Sequence, residues 1–130
     1  MGKKQDFGYM IYTNGSKYEG SWVNDMREGK GTFLMNNGQK YKGEWYRDVI
    51  HGIGKLLEIT EDKPQLYIGR FSKGKKDGRG KIIYQNGKTV EGIWKKDVLV
   101  TEDPPFLQTI EIMQVAAKEL VTFREKDSHL

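Results

Sequence analysis

The chain has no cysteine, only two histidines and only three prolines in 130 residues. Without thiols there is no disulfide frame, no thiolate metal centre and no cysteine nucleophile, so the fold must stand on packing and backbone pairing. The imidazoles, His51 and His129, share no spacing that would ligate a metal. No apolar run approaches the ~18 residues needed to cross a bilayer. Residues 1–6 lack the apolar core of a secretion signal, which points to an intracellular location. Gly2 invites a myristoylation reading, but that signal wants Ser or Thr where Asp6 stands. Asn14-Gly15-Ser16 matches a glycosylation acceptor and is better explained as a turn.

What is present is glycine and rings. Hydrophobic residues make up only 36%, lean for a thick core, yet the aromatic fraction is 12% and there are 16 glycines. Spacing explains both. Tyr18-Glu-Gly20-Ser-Trp22 recurs as Tyr41-Lys-Gly43-Glu-Trp45, as Tyr67-Ile-Gly69-Arg-Phe71 and as Val90-Glu-Gly92-Ile-Trp94, at steps of 23, 26 and 23 residues. Each of the first three is followed by a Gly-x-Gly: Gly29 and Gly31, Gly52 and Gly54, Gly78 and Gly80. Asn37-Gly38 or Asn86-Gly87 then leads to the next unit, and the extra residues of the middle unit fall in 58–65, an expected loop insertion. Upstream, Gly8 to Gly15 aligns with Gly31 to Gly38, so the chain opens on half a unit, with Asp6 where its first glycine would be.

Tyr, Gly and Trp at i, i+2 and i+4 lie on one face of a strand. Lys17, Glu19, Ser21, Lys40, Lys42 and Glu44 between them are expected to face water. Gly31, Phe33 and Met35, or Gly80, Ile82 and Tyr84, continue the aromatic face on the partner strand. The Asn-Gly pairs predict tight turns with both central residues at positive φ. A glycine at mid-strand costs roughly 0.5–1 kcal/mol relative to Ala. Its recurrence at Gly20, Gly31, Gly43, Gly54, Gly69, Gly80 and Gly92 is therefore expected to make bare backbone over which neighbouring rings lie. The predicted fold is mainly β: a single-layer antiparallel meander of stacked β-hairpins over 1–97, a linker over 98–105, and a C-terminal α-helix over 106–126.

Taken together, Tyr-x-Gly-x-Trp, the following Gly-x-Gly and the Asn-Gly at this period resemble the MORN repeat (membrane occupation and recognition nexus), from Gly8 to Trp94. The resemblance implies an elongated, non-enzymatic scaffold that grips a partner helix or extended segment in an aromatic groove. It also implies a setting in a cytoskeletal, ciliary or axonemal assembly. The groove positions it carries over are Tyr18, Trp22, Tyr41, Trp45, Tyr67, Phe71, Val90 and Trp94. Phe71 departs from the pattern by losing an indole donor and Val90 by losing a ring, so the C-terminal end is expected to be covered. The family name also allows a peripheral membrane adaptor that binds anionic phospholipid.

Beyond Trp94 the pattern stops, and Asp103-Pro104-Pro105 breaks any strand. Ile110, Met113, Ala117, Leu120 and Val121 then recur at helical spacing, an apolar stripe that must be buried somewhere. It reads as a cap on the last hairpin, shielding the open edge after Trp94, or as a helix docking on another subunit. A membrane-surface helix is a third reading, disfavoured by the missing basic polar face.

Residues 1–97 carry nineteen basic and twelve acidic side chains, a balance of +7, and the remainder balances at −3. The acidic tail can thus lie on the basic repeats, or the repeats can meet an acidic partner. The densest basic patch is Lys73, Lys75, Lys76, Arg79 and Lys81, either a solvated loop or a contact for an acidic surface. Nucleic acid is disfavoured, since the aromatics belong to the repeat frame. No cofactor or metal is expected, and His51 reads as structural. The first edge, near Tyr9, allows edge-to-edge dimerisation.

Overall fold

The computed structural model describes residues 6–105 and 107–126; the readings placed on Gly2, Phe106 and His129 fall outside them. Nine strands follow one another: β1 (Asp6–Ile11), β2 (Lys17–Val23), β3 (Met26–Leu34), β4 (Lys40–Tyr46), β5 (Val49–Thr60), β6 (Lys63–Ser72), β7 (Lys75–Ile83), β8 (Thr89–Lys95) and β9 (Val98–Glu102). They pair antiparallel in chain order, as one open nine-stranded meander. One helix follows, α1 (Ile110–Glu125).

Two kinds of turn alternate, and their chemistry is the reverse of the expectation for Asn-Gly. At Asn14-Gly15, Asn37-Gly38 and Asn86-Gly87 only the glycine takes positive φ, near 90°. The asparagine instead accepts the N–H two residues on through Oδ1, from Ser16, Gln39 and Lys88 at 2.9 Å each. The two-residue turns with both φ positive are Asn24-Asp25, Arg47-Asp48, Glu61-Asp62, Lys73-Gly74 and Lys96-Asp97. All but one close the opposite ends of the strands, where a left-handed pair matches the strand twist; Glu61-Asp62 joins β5 to β6 and stands at the Asn-Gly end, the one break in the alternation.

These turns also stitch one hairpin to the next. Asp48 Oδ1 accepts the Arg27 N–H at 2.7 Å and Asp97 Oδ1 accepts the Lys76 N–H at 2.8 Å. Each of these turns also donates a backbone N–H to the preceding hairpin, Asp48 to Arg27 O and Asp97 to Lys76 O at 2.9 Å.

The first glycine of each Gly-x-Gly marks a bulge. Register shifts between Gly20 and Trp22, Gly43 and Trp45, and Gly69 and Phe71, and opposite those shifts Gly29, Gly52 and Gly78 have φ of 92°, 100° and 108°. Asp6 takes the same left-handed conformation, φ 61°, at the equivalent place in the opening half unit.

Residues 58–65 do not lengthen a loop. Glu58 pairs with Gln65, Ile59 with Pro64 and Thr60 with Lys63, so the insertion extends β5 and β6 around the tight Glu61-Asp62 turn. The expected linker is also partly strand: Val98–Glu102 is β9, and the chain leaves the sheet only before Asp103. The helix starts later than expected, capped by Thr109 Oγ1, which accepts the Ile112 N–H at 3.2 Å.

Candidate functional site

The Tyr-x-Gly-x-Trp strands and their glycines assemble a continuous ladder of rings on one face. Trp22, Tyr18, Trp45, Tyr41, Phe71, Tyr67 and Trp94 touch in that order, with centroids 5.1–5.4 Å apart and planes crossed at 77–90°. Edge-to-face contact is the geometry ring quadrupoles favour. Each ladder tyrosine also closes a bulge: Tyr18 OH donates to Ser21 O at 3.0 Å, Tyr41 OH to Glu44 O at 2.8 Å and Tyr67 OH to Arg70 O at 2.8 Å. The carbonyl beside each shifted register is thereby satisfied by the side chain three residues before it.

The rings lie over glycine, as expected, most closely over the second glycine of each Gly-x-Gly. A Cβ at Gly31, Gly54 or Gly80 would fall onto the ring of Tyr18, Tyr41 or Tyr67, and one at Gly8 would meet the Trp22 indole at 2.8 Å. Gly20, Gly43 and Gly69 face the Cα of those same glycines across the strand pair and the tyrosine hydroxyl. Gly92 differs: with Val90 in place of tyrosine, no ring reaches it, and Leu99 and the β9 backbone lie against it instead. The covering expected at that end is thus a ninth strand.

Burial decides what this face offers. Tyr18, Tyr41 and Tyr67 have no exposed surface, and Trp22, Trp45, Phe71 and Trp94 are at most 6% exposed. Burial pushes the phenols of Tyr18 and Tyr67 up to about 12, and raises Tyr41 as well. The seven rings are consumed by one another, and the surface beside them is made by half-buried Tyr12, Phe33, Ile50 and Leu56 packed against the ladder. Arg27 covers part of it, its guanidinium 4.6 Å from the Trp45 centroid and 5.3 Å from that of Phe33, held by Asp48 at 3.1 Å.

The other face belongs to the helix. Leu57, Leu66 and Ile83 form a second apolar cluster with Leu120 and Phe123 of α1, flanked by Ile68 and Ala116. The helix therefore lies across β4–β7, and not over the edge after Trp94 as a cap on the last hairpin would. Its buried row is also shifted from the expected stripe. Met113, Ala117 and Leu120 face the sheet in varying degree, Ala116 and Phe123 join them, and Ile110 and Val121 are exposed, Ile110 by 72%.

Polar contacts fix this docking. Gln108 mimics a strand residue, donating to Thr89 O and accepting the Thr89 N–H, both at 3.0 Å. At the far end Lys40, expected in water, is 2% exposed. Its ammonium donates to Phe123 O at 2.7 Å and to Lys126 O, and lies 4.7 Å from the Phe123 ring centroid. A cation there answers the negative end of the helix dipole. Gly87 is needed as well, because a Cβ on it would strike the Met113 carbonyl.

The basic patch does not form as a unit. Lys76 is buried on the ladder face, paired with Glu58 at 2.7 Å, whereas Arg79 is paired with Asp103 at 2.7 Å and, like Lys81, occupies the helix-bearing face. Lys73 and Lys75 are exposed at and beside a turn. His51 is in β5 and accepts the Lys73 N–H through Nδ1 at 3.4 Å, beside Gly74, which lacks the aspartate of the other turns. Sequence reasoning missed Leu57, Leu66, Ile68 and Ile83 as the helix's landing site. The signal was available: Leu66 and Ile68 occupy the outward positions that Lys17 and Glu19, or Lys40 and Lys42, fill in the preceding units.

Among the described residues no helix is long and apolar enough to cross a membrane. A family model, the MORN repeat, matches residues 18–40, 41–57 and 67–89. The stretch it skips, 58–66, is the extended hairpin. No curated protein matches the sequence.

Proposed function

Because the chain is a MORN-repeat protein, an architecture consistent with binding a protein or a membrane, we propose that it is a non-enzymatic scaffold that holds a helix or extended segment of a protein partner along the ladder face. The observation that carries this reading is the ladder itself. Seven rings locked edge to face make a stiff single-layer frame, and they prop up a strip of half-buried apolar side chains, Tyr12, Phe33, Ile50 and Leu56, which a partner would cover. The groove of the family resemblance is then lined by these residues, with the rings as its foundation. We place this scaffold in a cytoskeletal or ciliary assembly, following the family. His51 is structural in this reading, spent on a turn N–H.

Site-specific photo-crosslinking tests it. A benzophenone side chain at Tyr12 or Phe33 is expected to give discrete protein adducts from a cytoskeletal fraction, and one at Tyr46, which leaves β4 on the other face, is expected to give none. Adducts at Tyr46 alone would refute the assignment of the face. The second reading, a peripheral adaptor for anionic phospholipid, is favoured by the +7 balance of residues 1–97. It requires sedimentation with anionic vesicles at low salt, and failure to sediment removes it.

A further inference from the structure

The helix-bearing face holds a second surface, separated from the ladder face by the thickness of the sheet. Between one flank of α1 and strands β3–β6 runs a groove of about 750 Å³. Its apolar lining is Ile53, Ile68, Val115 and Phe123. Ile53 and Val115 are left 52% and 71% exposed, although each sits beside a surface that could have buried it. Its rim is cationic. Lys30, Lys42, Lys55, Lys118 and Lys126 line it against Glu44 and Glu119, an excess of +3, beside Lys40, whose ammonium is buried against the helix carbonyls. That excess is most of the formal net charge of +4 carried by the entire chain. Both acids already have partners: Glu44 accepts the Ile53 N–H at 2.6 Å, and Glu119 stands 3.8 Å from Lys55.

We propose that this groove binds an acidic amphipathic segment of another protein, with carboxylates meeting the lysine rim and apolar side chains covering Ile53 and Val115. A positive rim around an apolar floor is complementary to such a segment in both respects. A segment seated on the floor excludes water from it, which strengthens the charge contacts at its border, and complementary potentials speed encounter and select the partner. A bilayer answers the charge but not the shape, because a flat surface reaches the outer lysines and not Ile68 at the base of the recess. A nucleic acid strand answers the charge but finds no open ring for its bases, since Phe123 is 8% exposed.

The test uses the full chain and the anisotropy of a labelled synthetic peptide of alternating glutamate and leucine, with its glutamine counterpart as the uncharged probe. The glutamate peptide is expected to bind and the glutamine peptide to bind at least about tenfold more weakly. Lys30→Glu with Lys118→Glu is expected to weaken binding about tenfold or more, and Ile53→Ser with Val115→Ser by a similar factor. Lys95→Glu with Lys96→Glu makes the same change in net charge away from the groove, and is expected to cost less than about threefold. Circular dichroism confirms that each variant is folded. Equal weakening by the two lysine pairs, or equal binding of the two peptides, overturns the proposal. So does a groove reversal that abolishes sedimentation with phosphatidylserine vesicles while leaving peptide affinity unchanged, which would assign the rim to a membrane.

Discussion

The two faces of the sheet are built by opposite rules. The ladder face is made by repetition: the same ring, glycine and bulge recur until Val90, and each tyrosine touches the indole or phenyl of its own unit and of the next. The helix-bearing face is made by exception, where the third unit replaces charged outward positions with Leu66 and Ile68 and the helix lands there. The ladder spreads its burial over many near-neighbour contacts, as stacked repeats do. The helix depends on a few distant ones, chiefly Leu120 and Phe123 with the Lys40 ammonium at its end. The difference teaches that the frame and its attachment should fail separately.

Alkali should produce the largest effect, because it acts on every ladder phenol together. In the unfolded chain a tyrosine loses its proton near 10.0, whereas Tyr18 and Tyr67 hold theirs to about 12 and Tyr41 is also raised, chiefly through burial. The stabilisation is complete below the unfolded value and falls as pH rises from about 10 towards 12, since the unfolded state then binds fewer protons. Near-ultraviolet dichroism should collapse in that window, together with the last phenolate absorbance. Titration of all seven tyrosines ahead of the collapse would contradict a buried ladder.

Next is Trp45→Ala, which removes a ring touching both Tyr18 and Tyr41 and an indole N–H that donates to Gly31 O at 3.1 Å. A loss of about 3–5 kcal/mol in denaturant unfolding is expected. Gly54→Ala should follow at roughly 3 kcal/mol, because its Cβ would occupy the Tyr41 ring and the backbone on both sides is paired. A change under about 0.5 kcal/mol there would refute the need for bare backbone.

Leu120→Ala should cost about 2 kcal/mol, and the comparison is sharpest here. The loss should appear as undocking of the helix, with hydrogen exchange rising over α1 while the ladder strands keep their protection. Equal loosening of both would mean that the two faces form one cooperative unit. The smallest effect is expected from Asp103→Asn. The hydrogen bond from Arg79 holds the Asp103 carboxyl below its ordinary 3.8, so its contribution is present above that value and is lost as pH falls below it. Both groups are open to solvent, and screening should hide the difference at high salt.

Much of the ladder was legible because it repeats. Tyr-x-Gly-x-Trp at a fixed step defines strand, face and ring position at once, and Val90 announced where the rings would end. The bulges were less legible: Gly29 and Gly31 differ only in which one takes positive φ, and that depends on how the partner strand pairs. The seven groove rings were read as the lining a partner touches and proved buried on one another, because period 2 states which side a ring is on and not what else lies on that side. The tail stripe was misjudged for a similar reason. Ile110 and Val121 are as apolar as Leu120 and Phe123, and the choice among them was made by the sheet beneath.

By itself, the sequence determined the strands up to β8, their order and the face on which the rings lie, since side-chain alternation and the demand for glycine under a ring are local and repeated. The tertiary structure alone decided that the rings bury one another and that the helix crosses back over β4–β7. It also placed most of the lysine excess around one groove. Those outcomes depend on which surfaces, far apart in the chain, exclude water together, and no spacing along the chain encodes that.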